Sequence, residues 1–175
     1  MKFLSIFLLI FNLSAADVFS ITQKPKENLE SIARHAIKFG SGKESDIYVF
    51  VDPLCKYSRS LMKKIDENKM LQLSSTYHIL LYRLPRLDSE QTMQYIYESA
   101  DPKETLTEIM IYEEEMDLSN FKARQSTVDA LSEIAEVAET LDMSQRPYMI
   151  TFEKGSKYCR VSEGEASCLE EFDSH

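Results

Sequence analysis

One cysteine, placed between a buried-strand pattern and an amphipathic-helix pattern, constrains this chain most. The apolar run 47–51 leads into Asp52-Pro53-Leu54-Cys55-Lys56-Tyr57-Ser58, where the helical pattern begins. The first N–H groups of a helix are unpaired and its amino terminus is the positive end of the helix dipole, so both stabilise a thiolate over a thiol. Cys55 is therefore a candidate redox nucleophile.

The residue three positions after this cysteine is Ser58, so the motif is C-x-x-S and not C-x-x-C. In a dithiol site the second cysteine resolves the mixed disulfide and leaves the substrate reduced. Ser58 cannot perform that step, although its hydroxyl can donate a hydrogen bond to a Cys55 thiolate. A lone thiolate can still rearrange disulfides when a substrate thiol or a small thiol releases it.

The amino terminus resembles a signal peptide. Lys2 precedes an apolar stretch from Phe3 to Phe11, and Ser14-Ala15-Ala16 supplies the small residues that precede a cleavage site. The alternative is an uncleaved anchor, but this stretch is far shorter than the roughly 20 apolar residues that span a bilayer. We expect residues 1–16 to be removed near Ala16, leaving a periplasmic or secreted protein with no integral membrane segment.

The charge and length of the remaining chain limit its partners and its organisation. The formal net charge is −9, and loss of Lys2, the only ionisable side chain in 1–16, makes it −10. An acidic chain disfavours nucleic acid and anionic lipid as partners. Residues 17–175 are enough for one domain with its own hydrophobic core.

The three cysteines make an odd number, which in an oxidising compartment leaves one thiol unpaired. We expect a structural disulfide between Cys159 and Cys168 and a free Cys55. Metal binding is the alternative for a cysteine pair, but the three histidines show no ligand spacing with the cysteines or with each other. No metal or cofactor is expected.

Hydrophobic periodicity predicts alternating helices and strands. Predicted helices cover about 25–39, 55–71, a segment from Asp88, a segment from Asp101, 126–141 and 165–172. Predicted strands cover 47–51, 76–84, 148–152 and 156–161, the last two as a hairpin. This order indicates an α/β fold with a central mixed sheet and helices on both faces.

The predicted domain organisation follows from this order. Residues 17–41 form an amino-terminal helical segment, and 42–175 form the main domain with a helical insertion at about 88–142. The acidic run Glu113-Glu114-Glu115 is interpreted as a solvated helix end, with cation binding as the alternative.

Residues 36–172 resemble the catalytic domain of bacterial periplasmic disulfide isomerases of the thioredoxin superfamily, the C and G types. Three segments carry the resemblance: the segment at 49–58, Val-Phe-Val-Asp-Pro-Leu-Cys-Lys-Tyr-Ser; the segment at 81–89, Leu-Tyr-Arg-Leu-Pro-Arg-Leu-Asp-Ser; and Arg146-Pro147 before a strand and a Glu-Lys-Gly turn. The resemblance implies a thioredoxin-like fold, a nucleophilic Cys55, and a cis peptide bond at Pro147 facing it.

The chain departs from that family in four places. Ser58 replaces the resolving cysteine, and Arg146 stands where a small hydroxylated residue is usual, which would put a cation beside the sulfur. No cysteine lies between 56 and 158, where the family has a disulfide in the insertion. The segment before residue 37 is also too short to be the family's dimerisation domain, so its dimer is not carried over.

Two functions from different classes remain open. The first is a monothiol disulfide isomerase or reductase-like enzyme acting through Cys55 on secreted or envelope proteins, with a membrane redox partner or a small thiol. The second is a redox-inactive thioredoxin-fold chaperone or assembly subunit of an envelope complex, because fold alone does not establish function. An inert buried Cys55, or a Ser58 that replaces a natural cysteine of an ordinary dithiol enzyme, are further alternatives.

Overall fold

A mixed five-stranded sheet forms the centre of the molecule. The computed structural model describes residues 23–154 and 159–163. The strands are β1 (Ile37–Phe39), β2 (Ser45–Val51), β3 (Ser75–Leu81), β4 (Tyr148–Glu153) and β5 (Cys159–Glu163). Their order is β1-β3-β2-β4-β5, with β2 and β3 parallel and the other neighbouring pairs antiparallel. The predicted mixed sheet and its closing hairpin are confirmed.

Helices cover both faces of this sheet. They are α1 (Gln23–Ile32), α2 (Lys56–Glu67), α3 (Lys69–Ser74), α4 (Glu90–Glu98), α5 (Pro102–Met110) and α6 (Gln125–Thr140). Side chains alternate along a strand, so Val49 and Val51 pack with α2, α4 and α5, while Tyr48 and Phe50 pack with α1 and α6. The helical insertion therefore contributes to both cores.

The amino-terminal segment is not helical as far as residue 39. Helix α1 ends at Ile32, a short 3-10 turn follows, and Ile37–Phe39 forms an edge strand antiparallel to β3. Ile37 and Phe39 are apolar at alternate positions, a strand spacing that also fits the helical period over so short a run. Gly40, with a φ of 74°, ends this strand and not the helix.

The helix that follows Cys55 is divided at Asn68. The prediction of one helix to Leu71 is wrong because Asn68 leaves the helical conformation, with φ −97° and ψ 95°. Its side chain accepts hydrogen bonds from the N–H groups of Met70 and Leu71, which starts α3.

The predicted first residues of the two helices at the start of the insertion compare differently with the structure. The helix predicted from Asp101 is α5, and the Asp101 side chain caps it by accepting from the N–H groups of Lys103 and Glu104. Helix α4 begins at Glu90 and not at Asp88.

Helix α6 forms where predicted, but the apolar residues along its predicted core face are not all buried. Ile134 and Ala138 are buried, whereas Val128 is 38% exposed. Val128, Leu131 and Ala135 line a cavity of about 340 Å³ between α4, α6 and the end of β3, so these side chains face open space.

Candidate functional site

The sheet places Cys55 at the amino terminus of α2. The turn Asp52-Pro53-Leu54 follows β2, and the Cys55 N–H donates to the Asp52 carbonyl at 3.0 Å. Cys55 is the residue before the first residue of α2, and its carbonyl accepts the first helical hydrogen bond, from Arg59 N–H at 3.0 Å. The thiol therefore lies at the positive end of the helix dipole, and it is only 3% exposed.

The segment before β4 lies against this thiol. The peptide bond between Arg146 and Pro147 is cis, as the sequence resemblance implies. The Cys55 thiol donates to the Arg146 carbonyl with a sulfur–oxygen distance of 3.6 Å. The structure thus brings Cys55 together with the Arg146-Pro147 segment, although Cys55 and Arg146 are 91 positions apart in sequence.

Ser58 is fully buried one turn after Cys55. Its hydroxyl oxygen accepts a hydrogen bond from the Asp52 N–H at 3.2 Å. Because the oxygen is the acceptor in this bond, the bond does not use the hydroxyl hydrogen.

The Arg146 side chain is buried. It stacks on the Tyr82 ring at 3.7 Å and donates to backbone carbonyls. Those acceptors are the carbonyls of Tyr82, Arg83, Met143 and Gln145, at 2.8 to 3.5 Å. Burial lowers the pKa of Arg146, and Tyr82, Asp52 and Cys55 partly oppose this effect. The direct contact of Arg146 with the thiol is through its carbonyl, and its cation lies within electrostatic range of Cys55.

Asp52 lies in the segment that carries the sequence resemblance, but sequence reasoning assigned it no role in the site. Its fully buried carboxylate accepts from Leu54 N–H at 2.9 Å, Leu84 N–H at 2.6 Å and the Ser89 hydroxyl at 2.9 Å. It therefore fixes the turn that leads to Cys55 and draws the segment after β3 towards that turn. A charged residue directly after a buried strand was the available signal.

Arg59 also stabilises the turn Asp52-Pro53-Leu54. Its Nε donates to the Pro53 carbonyl at 2.7 Å, and its NH1 donates to the Glu113 carboxylate at 3.3 Å. Glu113-Glu114-Glu115 is exposed, as predicted, but it lies in the loop after α5, which ends at Met110, and not at a helix end. Among the described residues, no group of three or more possible ligand side chains is placed to hold a metal ion.

The predicted disulfide is only partly within the described residues. Cys159 lies in β5, opposite Phe152 of β4, and is half-buried, and burial raises the pKa of its thiol. Cys168 lies outside the described residues, as do the predicted signal peptide and the predicted helix at 165–172. The bridge between Cys159 and Cys168 stays a prediction.

The histidines lie away from Cys55 where they are described. His35 is half-buried and bonds to Glu133 at 2.9 Å, and His78 is buried, bonds to Asp46 at 3.0 Å and stacks on Tyr48. His175 lies outside the described residues. Neither described histidine contacts the candidate site.

Comparison of the sequence with known proteins yields no match, neither to a protein-family model nor to a curated protein. Comparison of the structure yields clear similarities. The chain resembles a disulfide interchange protein from Neisseria gonorrhoeae, with a TM-score of 0.59, 17% identity, and coverage of 80% of this chain and 94% of that one. The catalytic domain of Proteus mirabilis ScsC gives a TM-score of 0.60, 15% identity, and coverage of 84% and 93%.

A third similar structure is a periplasmic thioredoxin-like protein from Salmonella enterica serovar Typhimurium. Its TM-score is 0.55, its identity 10%, and the coverage 86% of this chain and 94% of that one. Together these structures establish a thioredoxin-like fold for this chain, with helices α4 to α6 inserted before the strand that follows the cis proline.

Proposed function

We propose that this chain catalyses thiol-disulfide exchange through Cys55 alone, as a monothiol isomerase or reductase-like enzyme. One observation carries the proposal: the Cys55 thiol lies at the start of α2 and 3.6 Å from the carbonyl that precedes a cis proline, within a thioredoxin-like fold. The helix amino terminus favours the thiolate, which is the attacking species in exchange.

The proposed reaction conserves electrons over one cycle. The Cys55 thiolate attacks one sulfur of a substrate disulfide, a new S–S bond forms, and the other substrate sulfur leaves as a thiolate. A second thiolate, from the substrate or from a small thiol, then attacks the mixed disulfide and releases Cys55 as a thiolate. The substrate is rearranged without net oxidation or reduction when its own thiol performs the release.

Ser58 and Arg146 have supporting roles in this proposal. The Ser58 hydroxyl hydrogen would donate to the Cys55 thiolate, since the bond that its oxygen accepts from Asp52 N–H does not use this hydrogen. The buried Arg146 cation lies within electrostatic range of Cys55 and favours negative charge there.

The proposed setting is the periplasm or the extracellular space, after cleavage of residues 1–16. Substrates would be secreted or envelope proteins with disulfides or thiols, and release would come from a membrane redox partner or a small thiol. Within the described ranges, the structure contains no helix that is both long enough and apolar enough to cross a membrane.

Two assays, rearrangement of a scrambled disulfide substrate and net reduction of insulin, test the proposal on the wild type and two variants. Wild-type protein is expected to rearrange a scrambled disulfide substrate that carries a free thiol, and Cys55→Ala is expected to abolish this activity. Net reduction of insulin is expected near background, because a single thiol cannot resolve its own mixed disulfide. Ser58→Cys supplies the second thiol one helical turn away and is expected to raise insulin reduction.

The alternative is a redox-inactive binding protein, and the 3% exposure of Cys55 favours it. In that case the wild type forms no mixed disulfide with any scrambled substrate, while Ser58→Cys gains dithiol activity on an intact scaffold. That combined outcome would reject the monothiol enzyme.

A further inference from the structure

Arg59 carries a cation beside the turn that presents Cys55. It lies four positions after Cys55 on α2, so the two residues share one helix face. Side chains on a helix lean towards its amino terminus, and the Arg59 Nε indeed reaches back to the Pro53 carbonyl at 2.7 Å. This bond orients the guanidinium and leaves its other nitrogens for an anion.

In the structure, Arg59 forms an ion pair with Glu113, which lies in the loop after α5. The NH1 of Arg59 and the Glu113 carboxylate are 3.3 Å apart, and their side chains are 25% and 69% exposed. An ion pair with one partner this open to water contributes little to stability. A carboxylate from another molecule can therefore replace Glu113 at small cost.

We propose that Arg59 determines substrate specificity: it favours a carboxylate close to the reacting sulfur, and Glu113 occupies that place in the free protein. The substrate class is then cysteine thiols and disulfides with an acidic side chain nearby. This inference rests on the proposed function, because it concerns the partner of the Cys55 nucleophile.

Two alkylating reagents of nearly equal size test the inference on the full chain. Iodoacetate carries a carboxylate beside its reacting carbon, and uncharged iodoacetamide does not. Rate constants at Cys55 are measured at one pH by mass spectrometry of the peptide that contains it, and their ratio is compared among variants. Differences in stability or in access to the sulfur change both rates, whereas a local cation changes the ratio.

Arg59→Ala is expected to lower the iodoacetate-to-iodoacetamide ratio by about threefold or more, because two unit charges a few ångströms apart exceed that factor even in a medium that screens like water. Arg59→Lys should keep part of the preference. Glu113→Gln, which leaves Arg59 in place, should raise the ratio. Lys63→Ala is the matched control, since Lys63 is an exposed cation further along α2 and pairs with Glu67 at 3.9 Å; its ratio should stay at the wild-type value.

The outcomes separate this inference from the proposed function. An unchanged ratio in both Arg59→Ala and Glu113→Gln, with Cys55 still reactive, overturns the specificity role of Arg59 alone. A drop of equal size in Lys63→Ala also overturns it, because the effect is then general electrostatics. A wild-type Cys55 that reacts with neither reagent overturns the proposed function and this inference together.

Discussion

The Ser89 hydroxyl donates to the Asp52 carboxylate at 2.9 Å, and both residues are fully buried. This bond joins the turn before Cys55 to the start of the helical insertion across 37 positions of sequence. It also explains why Ser89 does not cap α4, since its side chain is directed to Asp52.

The first prediction is that this buried carboxylate is essential for stability. Ser89→Ala should lower the free energy of unfolding by about 1 to 3 kcal/mol, and Asp52→Asn should lower it more. The Asp52 carboxylate has two oxygens that accept from the N–H groups of Leu54 and Leu84 and from the Ser89 hydroxyl. An asparagine amide has only one acceptor oxygen for these three donors.

Urea unfolding monitored by circular dichroism measures both changes. Ser31→Ala is the control, since Ser31 is exposed and its hydroxyl donates to the Asn28 carbonyl within α1; it should stay within about 0.5 kcal/mol of wild type. An Asp52→Asn variant as stable as wild type would show that the buried network does not hold the turn.

The local patterns of this sequence were enough to predict the main elements of the fold. The buried strand before Cys55, the helix start at Asp101 and the closing hairpin each depend on neighbouring residues, and all three are confirmed. The cis peptide at Pro147 came from the resemblance to a known family.

Features set by distant residues could not be predicted in the same way. Strand β3 ends at Leu81 and not at Leu84, because the N–H of Leu84 turns to the Asp52 carboxylate. The direction of the Arg146 side chain depends on carbonyls that only the folded chain brings together. The residues that neighbour Leu84 or Arg146 in the sequence do not indicate such long-range contacts.

The second prediction concerns the charge of Arg146. Arg146→Thr should slow alkylation of Cys55 by iodoacetamide at pH 7, because a buried cation within electrostatic range favours the thiolate and the hydroxyl of threonine is neutral. Arg146→Lys keeps the charge and should be slowed less, although it loses the planar contacts with Tyr82. Equal rates in wild type and a folded Arg146→Thr would show that the sulfur does not experience this cation.

The third prediction is that Cys159 and Cys168 form a disulfide and Cys55 stays free in the exported protein. Trypsin cuts after Arg160, so the bridge would link peptide 158–160 to peptide 161–175 under non-reducing conditions. Peptide 44–56 should carry the alkylated Cys55. Any link between Cys55 and either of the other cysteines would contradict the prediction.

Loss of this bridge has two expected consequences. Reduction should lower the free energy of unfolding by roughly 2 to 3 kcal/mol, on the chain-entropy relation for a short loop. The released Cys159 should then alkylate more slowly than an exposed thiol at pH 8, since burial raises its pKa.

The last prediction concerns pH and the start of α6. The Glu98 carboxylate accepts from the Arg124 N–H at 2.5 Å and pairs with its Nε at 3.1 Å. The backbone hydrogen bond is the main cause that holds the pKa of Glu98 below its usual range. A lowered folded-state pKa means that this carboxylate stabilises the fold at pH values above its unfolded pKa, about 4.3, and that the stabilisation is lost as pH falls through the folded-state value.

Glu98→Gln should therefore be less stable than wild type at pH 7, and the difference should shrink steadily as the pH is lowered from about 5 to 3. Urea unfolding at a series of pH values measures it. Glu136→Gln is the control, because Glu136 is an exposed carboxylate on α6 and should change stability by less than about 0.5 kcal/mol throughout. A constant difference between Glu98→Gln and wild type across this range would show that the contact does not depend on the charge of the carboxylate.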